Sequence, residues 1–187
     1  YFDYYLLHSI QTGNLQRYDD LHLWDFVQEQ KAKGLIRHWG FSFHAGPELL
    51  DKLLTEHPEA DFVQLQLNYA DWENPDVTSR ANYEVARRHG KPIVVMEPVK
   101  GGALAQPIPA VQQIFRAANP DTSFASWAIR YAASLEGILT VLSGMSTLEQ
   151  MEDNLSYMQN FRPLDGAERV AVQRAQEAIH GVKSIPC

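Results

Sequence analysis

Residues 62–68 read Phe62-Val63-Gln64-Leu65-Gln66-Leu67-Asn68, an apolar run broken at every second position by an amide. In an extended chain the side-chain period is two, so Gln64, Gln66 and Asn68 share one face. Amides buried without partners are costly. They either bond one another or grip something set against that face, and the second is the expectation. Four further apolar runs also stop at a polar residue: Tyr4 to Leu7 at His8, Ile36 to Phe41 at Ser42, Ile93 to Met96 at Glu97, and Ile138 to Leu142 at Ser143. Near-continuous apolar runs separated by helix-like stretches read as strands of a parallel sheet covered on both faces. The fold class is therefore α/β, a β/α-barrel pattern, in which polar residues at the carboxyl ends of strands carry the chemistry.

Helix signals fall between the runs. Asp19-Asp20 is placed to cap a helix carrying Leu21, Trp24, Val27 and Lys31, with Gly34 as its stop. Gly46-Pro47 opens a second, striped by Leu49, Leu50, Leu53 and Leu54. Ser79 to His89 is a third, closed by Gly90 and Pro92. Asp121-Thr122-Ser123 starts a fourth with Phe124, Trp127, Ala128 and Tyr131 on one face, and Thr147 with Gln150 has capping-box spacing for a fifth, its apolar positions Met151, Leu155 and Met158. A last helix, Asp165 to about His180, carries Glu168, Arg169, Arg174 and Glu177 and reads as a surface element. Trp72 to Thr78 and Pro98 to Pro120, rich in Pro, Asn, Asp and Gly, read as long loops. The organisation expected is one domain over 1–187, with β/α units to about 160 and a C-terminal helix and tail over 161–187.

Composition narrows the function. The chain has 187 residues, 45% of them hydrophobic, enough for one sizeable core. Its net charge of −7 argues against a nucleic-acid groove, which needs clustered Lys and Arg. No stretch approaches the roughly 20 apolar residues of a membrane span. A single cysteine, Cys187, excludes an internal disulfide and fits a reducing, cytoplasmic setting. The sequence starts without Met, directly in an apolar strand, so an upstream part of the gene product is expected. Metal-ligand and nucleophile patterns are missing: His8, His38 and His44 have no carboxylate at ligand spacing, and Ser42 and Ser143 sit in no nucleophile elbow.

The residues left to carry chemistry stand at strand ends. His8 is either a hydrogen-bond donor to a substrate oxygen or a buried His satisfied by a backbone carbonyl. Gly144-Met145-Ser146-Thr147 leads into a helix whose backbone N–H groups form a natural anion site, although any αβ unit needs such a turn. Lys100-Gly101-Gly102 is a cationic loop or an ordinary turn, and Glu97 is an acid or base, or the residue that orients that loop.

Taken in order, Asp3-Tyr4-Tyr5-Leu6-Leu7-His8, Gly34 to Ser42, Phe62 to Tyr69, and Ser143-Gly144-Met145-Ser146 with Glu149-Gln150 and Asn154 resemble the aldo-keto reductases. The resemblance runs from about Phe2 to Tyr157. It implies a (β/α)8 TIM barrel of which this chain covers about strands 4 to 8, with NADPH, NADH not being excluded, bound across the strand ends and a small carbonyl compound as substrate. Residue by residue, it implies that His8 orients and polarises the substrate carbonyl. Ser42 and Gln64 would hold the nicotinamide carboxamide. Gly144, Met145, Ser146 and Gln150 would surround the 2′-phosphate, and Asn154 would touch the adenine.

Phe43 and Met96 depart from the family pattern, which often has Asn and Tyr there, and the 144–150 loop has no Lys or Arg. Met96-Glu97-Pro98 with Gly101-Gly102, and the closing Ile185-Pro186-Cys187, resemble a bacterial subgroup whose chain continues into a ferredoxin-like 4Fe-4S segment. One cysteine cannot build that cluster, which would need residues beyond Cys187. The family's catalytic Tyr, its Lys partner and its Asp have no counterpart here, so this chain alone is expected to be inactive. A nucleotide-sensing regulatory subunit, or another β/α-barrel enzyme with a phosphate site at its last strands, are the alternative readings.

Overall fold

Apolar runs become strands and the segments between them become helices, in the computed structural model, which describes residues 1–181. In chain order the elements are β1 Phe2–Ile10, α1 Leu15–Asp20, α2 Leu23–Ala32, β2 Ile36–Phe43, α3 Pro47–Glu56, β3 Phe62–Gln66 and α4 Ser79–Arg88. They continue with β4 Ile93–Met96, α5 Pro109–Ala118, α6 Phe124–Ala133, β5 Ile138–Val141, α7 Leu148–Met158 and α8 Gly166–Gly181. The sheet runs β1-β2-β3-β4-β5, and the first three pairings are parallel. Sequential order with helical crossovers is what parallel neighbours demand.

The chain forms two compact units. The first takes in Tyr1–Leu67, Asp71–Met96 and Gly137–Thr140. Its core follows from the period of two: Trp39, Phe41 and Phe43 point to one face of β2, each 2% exposed or less. Trp24 of α2 packs at 6.3 Å from the Trp39 ring and edge-on to Phe41, and stacks on His57 at 4.0 Å. Leu50, Leu53 and Leu54 of α3 and Val85 and Ala86 of α4 are buried in the same unit. Burying each large side chain contributes roughly 1.5–3 kcal/mol, so this core is the main stabilising term. Gly40 is required by close approach: a Cβ there would lie 2.3 Å from the Phe62 carbonyl oxygen on β3.

The second unit takes in Asn68–Ala70, Glu97–Glu136 and the residues from Val141 onward. Its core joins Tyr69, Leu104, Val111, Phe115, Trp127, Leu164, Ala171, Val172 and Ala175, with Phe115 and Trp127 stacked at 4.5 Å. At its side Arg130 donates to both carboxylate oxygens of Glu168, at 2.6 and 2.8 Å.

Local signals placed most elements. Gly34 and Gly90 close α2 and α4 with φ of 74° and 66°. Pro47 starts α3, Ser123 caps α6 through the Ser126 N–H, and Thr147 and Gln150 form the capping box of α7. Elsewhere the structure corrects the reading. Asp19-Asp20 ends α1 instead of capping α2, whose N-cap is His22 in the left-handed region; Asp19 accepts from the Trp24 indole instead. Pro98 to Pro120 is not one loop: α5 occupies 109–118, with Pro109 in its first turn and Val111 and Phe115 buried. α8 is more than a surface element, since Ala171, Val172 and Ala175 enter the core and Glu168 is paired. α7 buries none of its residues, and Met151 and Leu155 are exposed. Ile185, Pro186 and Cys187, on which the iron–sulfur resemblance partly rests, lie outside the described residues.

Candidate active site

In the first unit, β1 does not stop at His8 but continues to Ile10, through a register shift. Leu7 pairs with Phe41 and Ile10 with Phe43, so two residues, His8 and Ser9, stand against Ser42 alone. This is a β-bulge, a device that bends a strand and re-aims a side chain. Ser9 adopts φ 61°, uncommon for a residue with a Cβ. Side chains fix the bulge. The Ser9 N–H donates to Ser42 Oγ at 2.6 Å, Asn14 Nδ2 donates to the Ser9 carbonyl at 2.7 Å, and the Tyr18 hydroxyl donates to the His8 carbonyl. His8 is exposed. His44 lies within electrostatic reach. Burial, and then the charge of His8, push its pKa below the ordinary histidine value.

Ser42 and Gln64 are partners in the β2–β3 register, so their side chains leave the sheet on the same side. Ser42 is 1% exposed and Gln64 partly buried. Gln64 Nε2 lies 3.4 Å from Met96 Sδ, a weak acceptor. Gln66 Nε2 donates to Asp71 Oδ2 at 2.9 Å, while Asn68, past the end of β3, donates to the Glu97 carbonyl at 3.0 Å. Beyond the ends of β2 and β3 a cavity of about 120 Å³ is lined by residues including Phe43, His44, Gln66, Asp76 and Asn82. Asn82 is 5% exposed, and its amide nitrogen donates to the Ala45 carbonyl while its Oδ1 has no partner among the described residues. His44, Asp76, Asn82, Asn14 and Tyr18 were not read as site residues, because none stands at the end of an apolar run.

In the second unit, Gly144, Met145 and Ser146 form the irregular segment before α7. Its helix terminus is already served by its own side chains. Gln150 Oε1 accepts from the Ser146 N–H at 2.7 Å and the Thr147 N–H at 3.3 Å. The Glu149 carboxylate bonds its own N–H and the Thr147 hydroxyl, which lowers its pKa. Asn154 Nδ2 donates to Ser143 Oγ at 2.9 Å, and its Oδ1 accepts from the Tyr157 hydroxyl. Glu97, at φ 56°, accepts from the Gly101 N–H at 2.6 Å, so its carboxylate orients the loop that follows. Residues 97–104 are an ordered series of turns ending in buried Leu104.

These donor sets can be tested against a nicotinamide dinucleotide. Ser42 and Gln64, partners in the register, carry a hydroxyl and an amide, the mixed donors and acceptors that a carboxamide requires, while Ser42 is 1% exposed and its oxygen already accepts the Ser9 N–H. The start of α7 fits a phosphate only once the Gln150 carbonyl swings off the Ser146 and Thr147 N–H groups, and the Glu149 charge opposes an anion there. Among the described residues no grouping of His, Cys, Asp and Glu is placed to hold a metal ion, and no helix is long and apolar enough to cross a membrane.

Comparison with known proteins agrees with this fold. An aldo-keto reductase from Bacillus halodurans in its apo form superposes with a TM-score of 0.69 at 21% identity, covering 92% of this chain and 61% of that one. An aldo/keto reductase from Klebsiella pneumoniae, solved in complex with NADP and acetate, gives 0.69 at 20% identity, covering 92% and 58%. A further one from the same organism, in complex with NADPH, gives 0.66 at 18%, covering 92% and 57%. The chain thus spans about three fifths of the length of the structures it matches, and its five parallel strands correspond to part of a (β/α)8 barrel. No curated protein sequence matches. The aldo/keto reductase family model matches residues 1–177, and the chain belongs to that family.

Proposed function

We propose that the full-length protein reduces a small carbonyl compound with NADPH, and that this chain supplies the active-site histidine and most of the nucleotide groove. The observation that carries the reading is the Ser42–Gln64 register pair directly beside the His8 bulge, within a chain of this family. When bound, the reduced nicotinamide supplies a hydride to the carbonyl carbon. His8 donates a hydrogen bond to the substrate oxygen, which draws electron density from the carbon and orients its face. Ser42 and Gln64 hold the carboxamide and so fix which side of the ring meets the substrate. Gly144, Met145, Ser146 and Gln150 hold the adenosine 2′-phosphate after Gln150 releases the α7 terminus, and Asn154 meets the adenine by exchanging its Ser143 or Tyr157 bond.

An imidazole alone is a poor replacement for a dedicated acid at the alkoxide, so residues 1–187 by themselves should be inactive. The test is consumption of reduced nicotinamide by the full-length protein against a panel of aldehydes and ketones, with wild type beside His8→Gln. Turnover of some carbonyl that falls at least about 100-fold in the variant supports the proposal. Nucleotide binding with no turnover of any carbonyl favours the sensing subunit instead.

A further inference from the structure

The His8–Ser9 bulge is held from outside its own strand, by the segment that carries α1. α1 has six residues and no side-chain cap, although Asn14 stands at its N-cap. An N-cap Asn ordinarily gives its side-chain oxygen to a helix N–H. Asn14 turns the other way, donating Nδ2 to the Ser9 carbonyl at 2.7 Å and accepting the Gln11 N–H on Oδ1 at 3.0 Å. Tyr18 of the same turn is 8% exposed; its ring packs 6.0 Å from Trp24 and its hydroxyl donates to the His8 carbonyl. Both carbonyls of the bulge are thus held by side chains, one from the N-cap of α1 and one from α1 itself, while its N–H at Ser9 is held by Ser42 on β2. Ser9 at φ 61° is a conformation that persists only where its surroundings over-determine it. Were these bonds lost, an extended Ser9 would re-aim the His8 side chain.

We propose that Asn14 and Tyr18 are positioning residues, which aim the His8 imidazole by clamping the two carbonyls of the bulge. The inference rests on the reading of His8 as the group that polarises the substrate. It also gives Ser42 a second duty, since one hydroxyl holds both the bulge and, under that reading, the nicotinamide. The α1 segment becomes part of the active site without touching substrate or nucleotide.

The test uses the full-length protein and the variants Tyr18→Phe, Asn14→Ala, Asn14→Asp, His8→Gln and the Tyr18→Phe/His8→Gln double. Three quantities are measured in each: kcat for a turned-over aldehyde, Kd for NADPH, and the midpoint of thermal unfolding. Tyr18→Phe keeps the ring against Trp24 and removes only the hydroxyl. It should lower kcat on the order of 10-fold, as a small misplacement of a reacting group does, with Kd within about twofold of wild type. In the His8→Gln background the same change should cost less than about twofold, because its effect passes through His8. Asn14→Asp keeps the bond to the Gln11 N–H but cannot donate to the Ser9 carbonyl, so it should lose as much kcat as Asn14→Ala. Equal losses from Tyr18→Phe in both backgrounds, or an active Asn14→Asp, overturn the positioning role. A His8→Gln variant with wild-type kcat overturns the reading beneath it, and is told apart by that single variant.

Discussion

Gly40→Ala is the substitution that probes most sharply how the sheet sets the proposed nicotinamide site. A Cβ at position 40 would lie 2.3 Å from the Phe62 carbonyl oxygen and 2.8 Å from two atoms of the Phe62 ring. Carbon and carbonyl oxygen rest no closer than about 3.3 Å, so β2 and β3 must part locally by about 1 Å. The carbonyl belongs to the backbone of the partner strand, so no rotamer change relieves the contact. Overpacking of this kind costs about 1–3 kcal/mol, and a weakened ladder hydrogen bond adds about 1 kcal/mol. At about 2–4 °C per kcal/mol for a chain of this size, the unfolding midpoint should fall by roughly 5–15 °C. Gly13→Ala is the control, since a Cβ there meets nothing within 4 Å. Calorimetry of the two variants beside wild type measures the difference. Ser42 and Gln64 are the next register pair on the same face, so Gly40→Ala should also weaken nicotinamide binding. A Gly40→Ala protein that unfolds within a degree of Gly13→Ala would refute the close approach of the two strands.

Further outcomes follow from the second unit and the α7 terminus. The Tyr69 hydroxyl is fully buried with no hydrogen-bond partner among the described residues, and burial raises its pKa, so Tyr69→Phe should stabilise by about 1 kcal/mol, measured as a higher urea midpoint. Arg130 and Glu168 are only 12% and 19% exposed, and Arg130→Met, which strands the carboxylate, should cost about 3 kcal/mol near neutral pH. The Arg130 hydrogen bonds hold the Glu168 pKa below its ordinary value of 4.5. The pair's contribution is therefore full above that value and is lost as pH falls through the lower, folded one, so wild type and Arg130→Met should converge in stability in acid. Replacing Ser146 and Gln150 together by Ala should weaken NADPH more than NADH, and equal losses in fluorescence titrations would mean that these residues do not read the 2′-phosphate.

What was legible in the sequence was whatever short range decides. Gly34, Gly46-Pro47, Ser123 and the Thr147/Gln150 box each act within four residues, and the structure has them where the local pattern put them. α5 was hidden because prolines and glycines around it outweighed a short apolar stripe, Val111 and Phe115, at helical spacing. The end of β1 was misread for a different reason. Nothing near His8 signals a bulge, because the group that accepts the Ser9 N–H is Ser42, 33 residues away. The roles of Asn14 and Tyr18 were invisible for the same cause: each is an ordinary polar residue until the fold places a carbonyl against it. The polar strand ends were legible as candidates, but their partners were not. Gln66 donates to Asp71 and Asn68 to the Glu97 carbonyl, while the Gln64 amide has Met96 Sδ at 3.4 Å.

The central claim is that Ser42 and Gln64 hold a nicotinamide. Titrating the full-length protein with NADPH, followed by quenching of the reduced nicotinamide fluorescence, tests it most directly when wild type is set beside Ser42→Ala and Gln64→Ala. Each lost carboxamide bond is worth about 1 kcal/mol, so each variant should bind roughly fivefold more weakly. Wild type that binds neither NADPH nor NADH, or variants that bind both as wild type does, would contradict it.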